Sequence, residues 1–207
     1  MLNLELFETI RQGRERGSFI HVFDHTRTAM GGRLLRRWIQ RPLITPESIE
    51  QRLDAVFWYL EHRNFWQELQ QQLDTIGDIE RILRSLQLGT GTPPTVIRLK
   101  HALQNALACN TSFQNYEESD TAPELLNSQL QALDEEIADV ISLIDTRLSD
   151  DPPHDPAKGG VFKQGVHAEL DELMQTIQES KDWIAELQRS ERERTGIQSL
   201  KVDSNKV

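Results

Sequence analysis

The chain has 207 residues, 33 acids against 23 bases, a net charge of -10 and 37% apolar residues. That length can bury a sizeable core, while the acidic balance argues against a free-standing nucleic-acid binder, whose affinity comes largely from neutralising phosphates. The single cysteine, Cys109, excludes an intrachain disulfide framework and fits a reducing cytosol; no stretch approaches the roughly 18 apolar residues of a membrane span, and MLNLELFETI lacks the basic start and apolar centre of an export signal.

Charge is distributed unevenly. Residues 1–41 hold eight arginines and four acids, residues 42–180 nine bases and 24 acids, and residues 181–207 six bases and five acids. Any contact with DNA is therefore local. Five of the arginines fall within residues 24–43, DHTRTAMGGRLLRRWIQRPL.

In chain order, MLNLELFETIRQG has no assignable role, and FIHVF after Gly17 and Ser18 is a brief apolar run. Thr26 or Thr28 caps a helix to about Gln40, with Met30, Leu34, Leu35, Trp38 and Ile39 forming one face for burial. Arg33, Arg36, Arg37 and Arg41 fall on the remaining surface. Arg41-Pro42 ends that helix. Thr45, Pro46 and Glu47 start the next with a hydroxyl, a proline in the first turn and an acid at the positive end; its apolar face is Ile49, Leu53, Val56, Phe57 and Leu60. Asp78 to Leu88 is a short helix. Gly89 to Pro94 breaks the chain, and Thr95 to about Ala108 is helical with Ile97, Leu99, Leu103 and Leu107.

NTSFQNYEESDT, residues 110–121, reads as a loop. Helical pattern resumes from Pro123 to about Leu148, and SDDPPHDPAKGG, residues 149–160, is the clearest break in the chain, where a domain boundary is expected. Val161 to Lys163 reads as a short strand. From about Gly165 to Arg194 runs a long helix whose Val166, Leu170, Leu173, Ile177, Ser180, Ile184 and Leu187 alternate by four and three, a narrow seam that asks for a partner helix. Gly196 is placed to stop it. IQSLKV then alternates like a strand, and a strand with no visible partner suggests a piece of something longer.

Signatures of catalysis are missing: the sequence has no GxxxxGK[ST], GxSxG, HExxH or paired CxxC. Cys109 reads as an ordinary partly buried thiol, and His21 and His25 as surface or packing histidines rather than ligands. Asp78, Glu80, Arg81 and Arg84 read as helix-end electrostatics. Glu191 to Arg194, alternating in sign, reads as a solvated helix end, with phosphate contact or an ion-pair latch as the alternative. The arginines of 33–41 read as structural ion-pair partners of the acidic middle. Composition and periodicity thus reach a mostly helical module of scaffold type, ending in a long helix and one strand.

The opening stretch takes this further. Asp24, Thr26, Thr28, Met30, Gly31, Arg33, Leu35, Trp38, Pro42 and Leu43 resemble a D-x-T-x-T-x-M-G-x-R-x-L-x-x-W-x-x-x-P-L pattern that begins the core domain of the MutS family of DNA mismatch repair proteins. Asn3 to Leu6 is similar to that family's lead-in, Asp78 to Ile82 to its D-[IL]-E-R motif, and Ala168 to Leu173, Glu191 to Ile197, Ser199 to Val202 and Asn205 to Val207 to the opening of its clamp domain. Residues 90–160 match in helical character alone. Val166-His167 departs from a common Tyr-Asn, and Asp203-Ser204 from a common Gly and aromatic.

The resemblance implies a mainly α fold: a multi-helical core of the MutS domain III type, with a long protruding helix leading to a short clamp strand. It implies residues 1–163 as the N-terminal portion of the core, or lever, domain and residues 164–207 as an incomplete start of the clamp. The function so implied is structural and non-catalytic: core helices couple an ATPase to a sequence-independent clamp on DNA. No cofactor is implied for these residues; ATP and magnesium belong to the longer parent, as do double-stranded DNA, a self-dimer through other domains, a MutL-type repair partner and a cytoplasmic, nucleoid-associated bacterial location. Arg192, Arg194, Lys201 and Lys206 are the candidate DNA-contacting residues. The readings kept beside it are an all-helical protein-interaction adaptor working through the 166–187 seam and a clamp-less relative acting outside mismatch repair, which the clamp opening argues against.

Overall fold

The computed structural model describes residues 4–11, 13–131 and 135–201. Among them are helices α1 (Phe19–Phe23), α2 (Ala29–Gln40), α3 (Pro46–Glu61), α4 (Arg63–Leu73), α5 (Ile79–Gln87), α6 (Pro93–Gln114), α7 (Glu124–Gln131), α8 (Glu135–Arg147) and α9 (Ala168–Thr195). The one β pairing among these residues is an antiparallel bridge between Leu148 and Phe162, so the expected strand at Val161 to Lys163 is a single bridge.

Local chemistry sets the helix ends. The Thr28 hydroxyl accepts from the Gly31 N–H at 3.0 Å, opening α2. Asp78 does the same for α5, accepting from the Arg81 N–H at 3.1 Å. Thr92 and Thr95 form a reciprocal capping box ahead of α6, with proline in its first turn. α9 carries Glu169 and Asp171 in its first turn and Arg192 and Arg194 in its last, matching the helix dipole at both ends. It stops at Gly196, whose φ of 70° is left-handed and cheap only for glycine.

α6 is the centre of the fold, with α4, α5 and α8 packed on it and α3 reaching α4 and α7. The main core joins Trp58 of α3, Phe65 and Leu69 of α4, Cys109 and Phe113 of α6, and Ala122. Its aromatics interlock: Phe65 stacks on Tyr116 at 4.3 Å, and the Trp58 indole N–H donates to the Thr121 hydroxyl at 2.9 Å. Tyr59, packed on the same core, has its phenol pushed up to about 12 by burial. Cys109 is buried, and burial likewise pushes its thiol up.

Several expectations need correction. The polar run 110–121 is not a loop throughout: α6 continues to Gln114 because Asn110 and Phe113 turn inward with Cys109 on its buried face. FIHVF is a short helix anchored by buried Ile20. The α2 face assigned to the core buries no residue, and Leu34 and Trp38 are 39% and 41% exposed. On α3 the whole expected face, Ile49, Leu53, Val56, Phe57 and Leu60, is exposed; Ala55 and Trp58 seat the helix instead. That helix carries two apolar stripes, and the one bearing Trp58 joins the core with Phe65 and Leu69 of α4. Arg52 lies over the Trp38 ring at 3.6 Å, bringing α2 and α3 together.

The short clamp strand expected after α9 is not formed within 196–201. The Leu200 N–H bonds to the Ile197 carbonyl at 3.2 Å, a turn rather than an extended segment. With no second strand beside it, the backbone satisfies itself locally. Residues 202–207, with the rest of that expectation, lie outside the described residues.

α9, 28 residues and about 42 Å long, buries none of its residues. The chain exposes 15891 Å², against about 9,900 Å² for a compact monomer of its mass.

Candidate functional site

Three polar constellations hold the helices in register, and a fourth caps the end of α9. In the first, Arg33 of α2 bonds Asp78 through Nη1 at 2.9 Å and Nη2 at 2.7 Å while its Nε reaches Glu80 at 2.8 Å. The fork geometry is what guanidinium offers a carboxylate. Hydrogen bonding from Arg33 holds the Asp78 carboxyl below its usual range, and the two acids push the Arg33 guanidinium up. Arg37 lies 3.8 Å from Glu80 as a looser companion. The arginine-rich helix is thus tied to the start of α5, in the acidic middle, as its composition suggests. Arg36 differs: its partner at 2.7 Å is Glu15, within the N-terminal basic segment.

In the second constellation the Lys100 ammonium, on a side chain only 5% exposed, bonds Asp145 of α8 at 3.0 Å and Asp150 at 3.1 Å. Lys163 approaches the same pair at 3.9 and 3.7 Å. The bond to Asp145 raises the Lys100 pKa against the opposing effect of burial. This node joins α6, the end of α8 and the bridge strand that leads to α9. Sequence reading missed it. A cation between Leu99 and the inward-facing Ala102 is the one local signal, and its partners lie 45 and 50 positions away.

In the third, His62 at the α3–α4 junction has its Nδ1 2.6 Å from the Trp58 carbonyl and its Nε2 2.7 Å from Glu118. Both ring nitrogens face acceptors, so the doubly protonated ring satisfies both, and the Glu118 bond raises its pKa.

Of the candidate DNA-contacting residues, Arg192, Arg194 and Lys201 lie together at the far end of α9, and Lys206 lies outside the described residues. Arg192 donates from Nε to the Leu200 carbonyl at 2.8 Å, folding the turn back on the helix. Arg194 grips Glu191 at 2.7 Å, which raises the arginine and lowers the acid. Both are therefore engaged, and Lys201 is exposed. Among the described residues no group of three or more His, Cys, Asp or Glu could hold a metal ion, and no helix is long and apolar enough to cross a membrane.

A helical body clasped by buried and half-buried ion pairs, carrying a long helix that buries none of its residues, is a helical domain with large uncovered faces. Known proteins place it. The family model for MutS domain III matches residues 1–200. The chain is 42% identical to the DNA mismatch repair protein MutS of Halothermothrix orenii over 99% of its own length and 22% of that protein's. It is 40% identical to the MutS of Alkaliphilus metalliredigens and 37% to that of Methanothrix thermoacetophila, again over 99% of this chain but 23% and 24% of theirs. The chain belongs to the MutS domain III family and spans about a quarter of the length of these relatives.

Proposed function

We propose that this chain is the coupling portion of a DNA mismatch repair protein: it turns conformational change in an ATPase into movement of a clamp on duplex DNA. The match of residues 1–200 to MutS domain III carries this reading. Support comes from α6, which links α4, α5 and α8 as one packed unit, because packed units shift between discrete arrangements rather than deforming smoothly. Residues 1–163 are the lever's N-terminal portion and residues 164–207 the start of the clamp. The domain itself is non-catalytic; ATP and magnesium act elsewhere in the parent, as do self-dimerisation and a MutL-type partner, and the parent works in the bacterial cytoplasm on the nucleoid. Arg192, Arg194, Lys201 and Lys206 meet DNA phosphates, which requires Arg194 to exchange Glu191 for phosphate.

The test is a chimaeric MutS whose matching segment is replaced by this chain. Mismatch-stimulated ATP turnover should survive the exchange, and Arg33→Glu in the graft should uncouple it while mismatch binding persists. Stimulation unaffected by Arg33→Glu counts against coupling through the clasp. The purified chain should show no nucleotide turnover above background and only weak, salt-sensitive duplex binding, reduced further by charge reversal at Arg194 and Lys201.

A second reading, an adaptor that pairs through the α9 seam, is favoured by the seam residues Leu173 and Ile177 at 61% and 49% exposure. Analytical ultracentrifugation separates the two. A stable dimer that Leu173→Asp dissolves supports the adaptor; a monomer at all concentrations removes it.

A further inference from the structure

The groove between α5 and α6 carries basic side chains that neither the clasp nor the long helix uses. It is a cleft of about 590 Å³ lined by Arg81, Arg98, His101 and Asn105 together with Thr75 and Asp78. Arg98, His101 and Asn105 follow three- and four-residue spacing on α6, so they share one face. Arg81 enters from the first turn of α5, the helix packed against that face. The two helices are brought close at one end, where a Cβ on Gly77 would meet the Ala102 Cβ at 3.4 Å. Asn105 is pinned there by donating to the Thr75 carbonyl at 2.8 Å.

Charge makes this cleft unusual for its surroundings. Residues 42–180 contain nine bases against 24 acids, yet two of those bases and a histidine line one concavity. None of the three side chains has a hydrogen-bond or ion-pair partner among the described residues. The one carboxylate in the lining is already engaged. Both Asp78 oxygens are bonded to Arg33, one of them also to the Arg81 backbone N–H, and Arg81 feels Asp78 only at longer range. Two guanidinium forks and an imidazole thus face a concave space with their donors free. Forks of this kind match the oxygens of a phosphate, and concavity lowers the screening that weakens the same contact on an open surface.

We propose that the α5–α6 cleft is an anion site for a phosphate or polyphosphate group, with Arg81 and Arg98 as the forks and His101 as a third donor. The group comes either from a free polyphosphate, such as a nucleotide's, or from a nucleic-acid backbone; the recognition chemistry is shared. Occupancy would tighten α5 against α6. The proposal does not depend on the coupling function above.

The full 207-residue chain, labelled with ¹⁵N, is titrated with inorganic pyrophosphate and, separately, with a short DNA duplex, while amide shifts are followed by NMR. Saturable shifts are expected at Gly77, His101, Ala102 and Asn105, with an affinity that falls roughly tenfold or more in Arg98→Gln and in Arg81→Gln. Lys181→Gln, on α9, should leave it unchanged. Because Arg81 and Arg98 are exposed, both variants should keep the wild-type spectrum elsewhere. Pyrophosphate alone shifting these amides assigns the site to a small phosphate; the duplex shifting them with the same dependence on Arg98 assigns it to a nucleic-acid backbone. Unsaturable shifts with both probes, or an affinity that Arg81→Gln and Arg98→Gln leave unchanged, would overturn the site.

Discussion

Arg33 grips both oxygens of Asp78, at 2.9 and 2.7 Å, across 45 positions of sequence. The same carboxylate caps α5. One acid thus starts a helix and fastens another to it, so the orientation of α2 and the existence of the first turn of α5 are set together.

Asp78→Ala should therefore cost more than a single surface ion pair. Loss of the cap alone removes about 1 kcal/mol. Arg33→Lys, which keeps the charge and loses the fork, should lower the thermal midpoint less than Asp78→Ala. The pH dependence has a definite sign. The Asp78 pKa is lowered in the folded state, so its contribution is present above the unfolded value near 3.9 and lost as pH falls through the folded pKa. Thermal melts of both variants between about pH 3 and pH 7 check this; equal midpoints for the two variants would contradict the dual role.

His62 gives the opposite sign. Its pKa is raised, first by Glu118, then by the Trp58 carbonyl. The stabilisation is complete below the unfolded value near 6.5 and is lost as pH rises through the folded pKa. The stability difference between the wild type and Glu118→Gln should be largest near pH 6 and shrink toward pH 8. A difference independent of pH would mean that the pair holds a neutral ring.

Lys100 has two carboxylate partners. Asp145→Asn and Asp150→Asn should each lower the denaturation midpoint slightly, since the other acid remains. The double variant should lose more than the two singles combined, because it leaves a buried ammonium beside Lys163 with no anion. Additive losses in urea titrations would show that the two bonds act independently.

Phe113 is 3% exposed and touches Trp58 and Phe65 at ring-centre distances of 5.5 and 6.0 Å. Phe113→Ala should cost about 3–5 kcal/mol. It should also speed the reaction of Cys109 with a thiol reagent, since that thiol is buried in the same core. A loss under about 1 kcal/mol would place the end of α6 outside the core.

Helix ends were legible because their causes are local: Thr28, Asp78 and Gly196 act within a few residues of themselves. Arg33 and Arg37 were legible in kind, as cations destined for the acidic middle, whereas the Glu15 partner of Arg36 was not, since sequence carries no distance. Stripes were legible but their fate was not. Periodicity locates an apolar face on α3 and says nothing about which of two faces is covered, so Trp58 was overlooked in favour of Ile49 to Leu60. The polar letters of 110–121 concealed a helix end held inward by Cys109, Asn110 and Phe113. The Lys100 node needed partners 45 and 50 positions away, and the turn at 197–200 replaced a strand because alternation alone supplies no second strand to pair with.

The bridge between Leu148 and Phe162 fixes more than two residues. Ser149 N–H to the Val161 carbonyl and Lys163 N–H to the Arg147 carbonyl, each 2.9 Å, pinch shut the segment that holds Pro152, Pro153 and Pro156. The two bonds close that segment into a stapled loop. Residues inside the pinch can be lengthened or shortened while its two ends stay together, whereas Lys163→Pro, which deletes one of the two braces, would let them part.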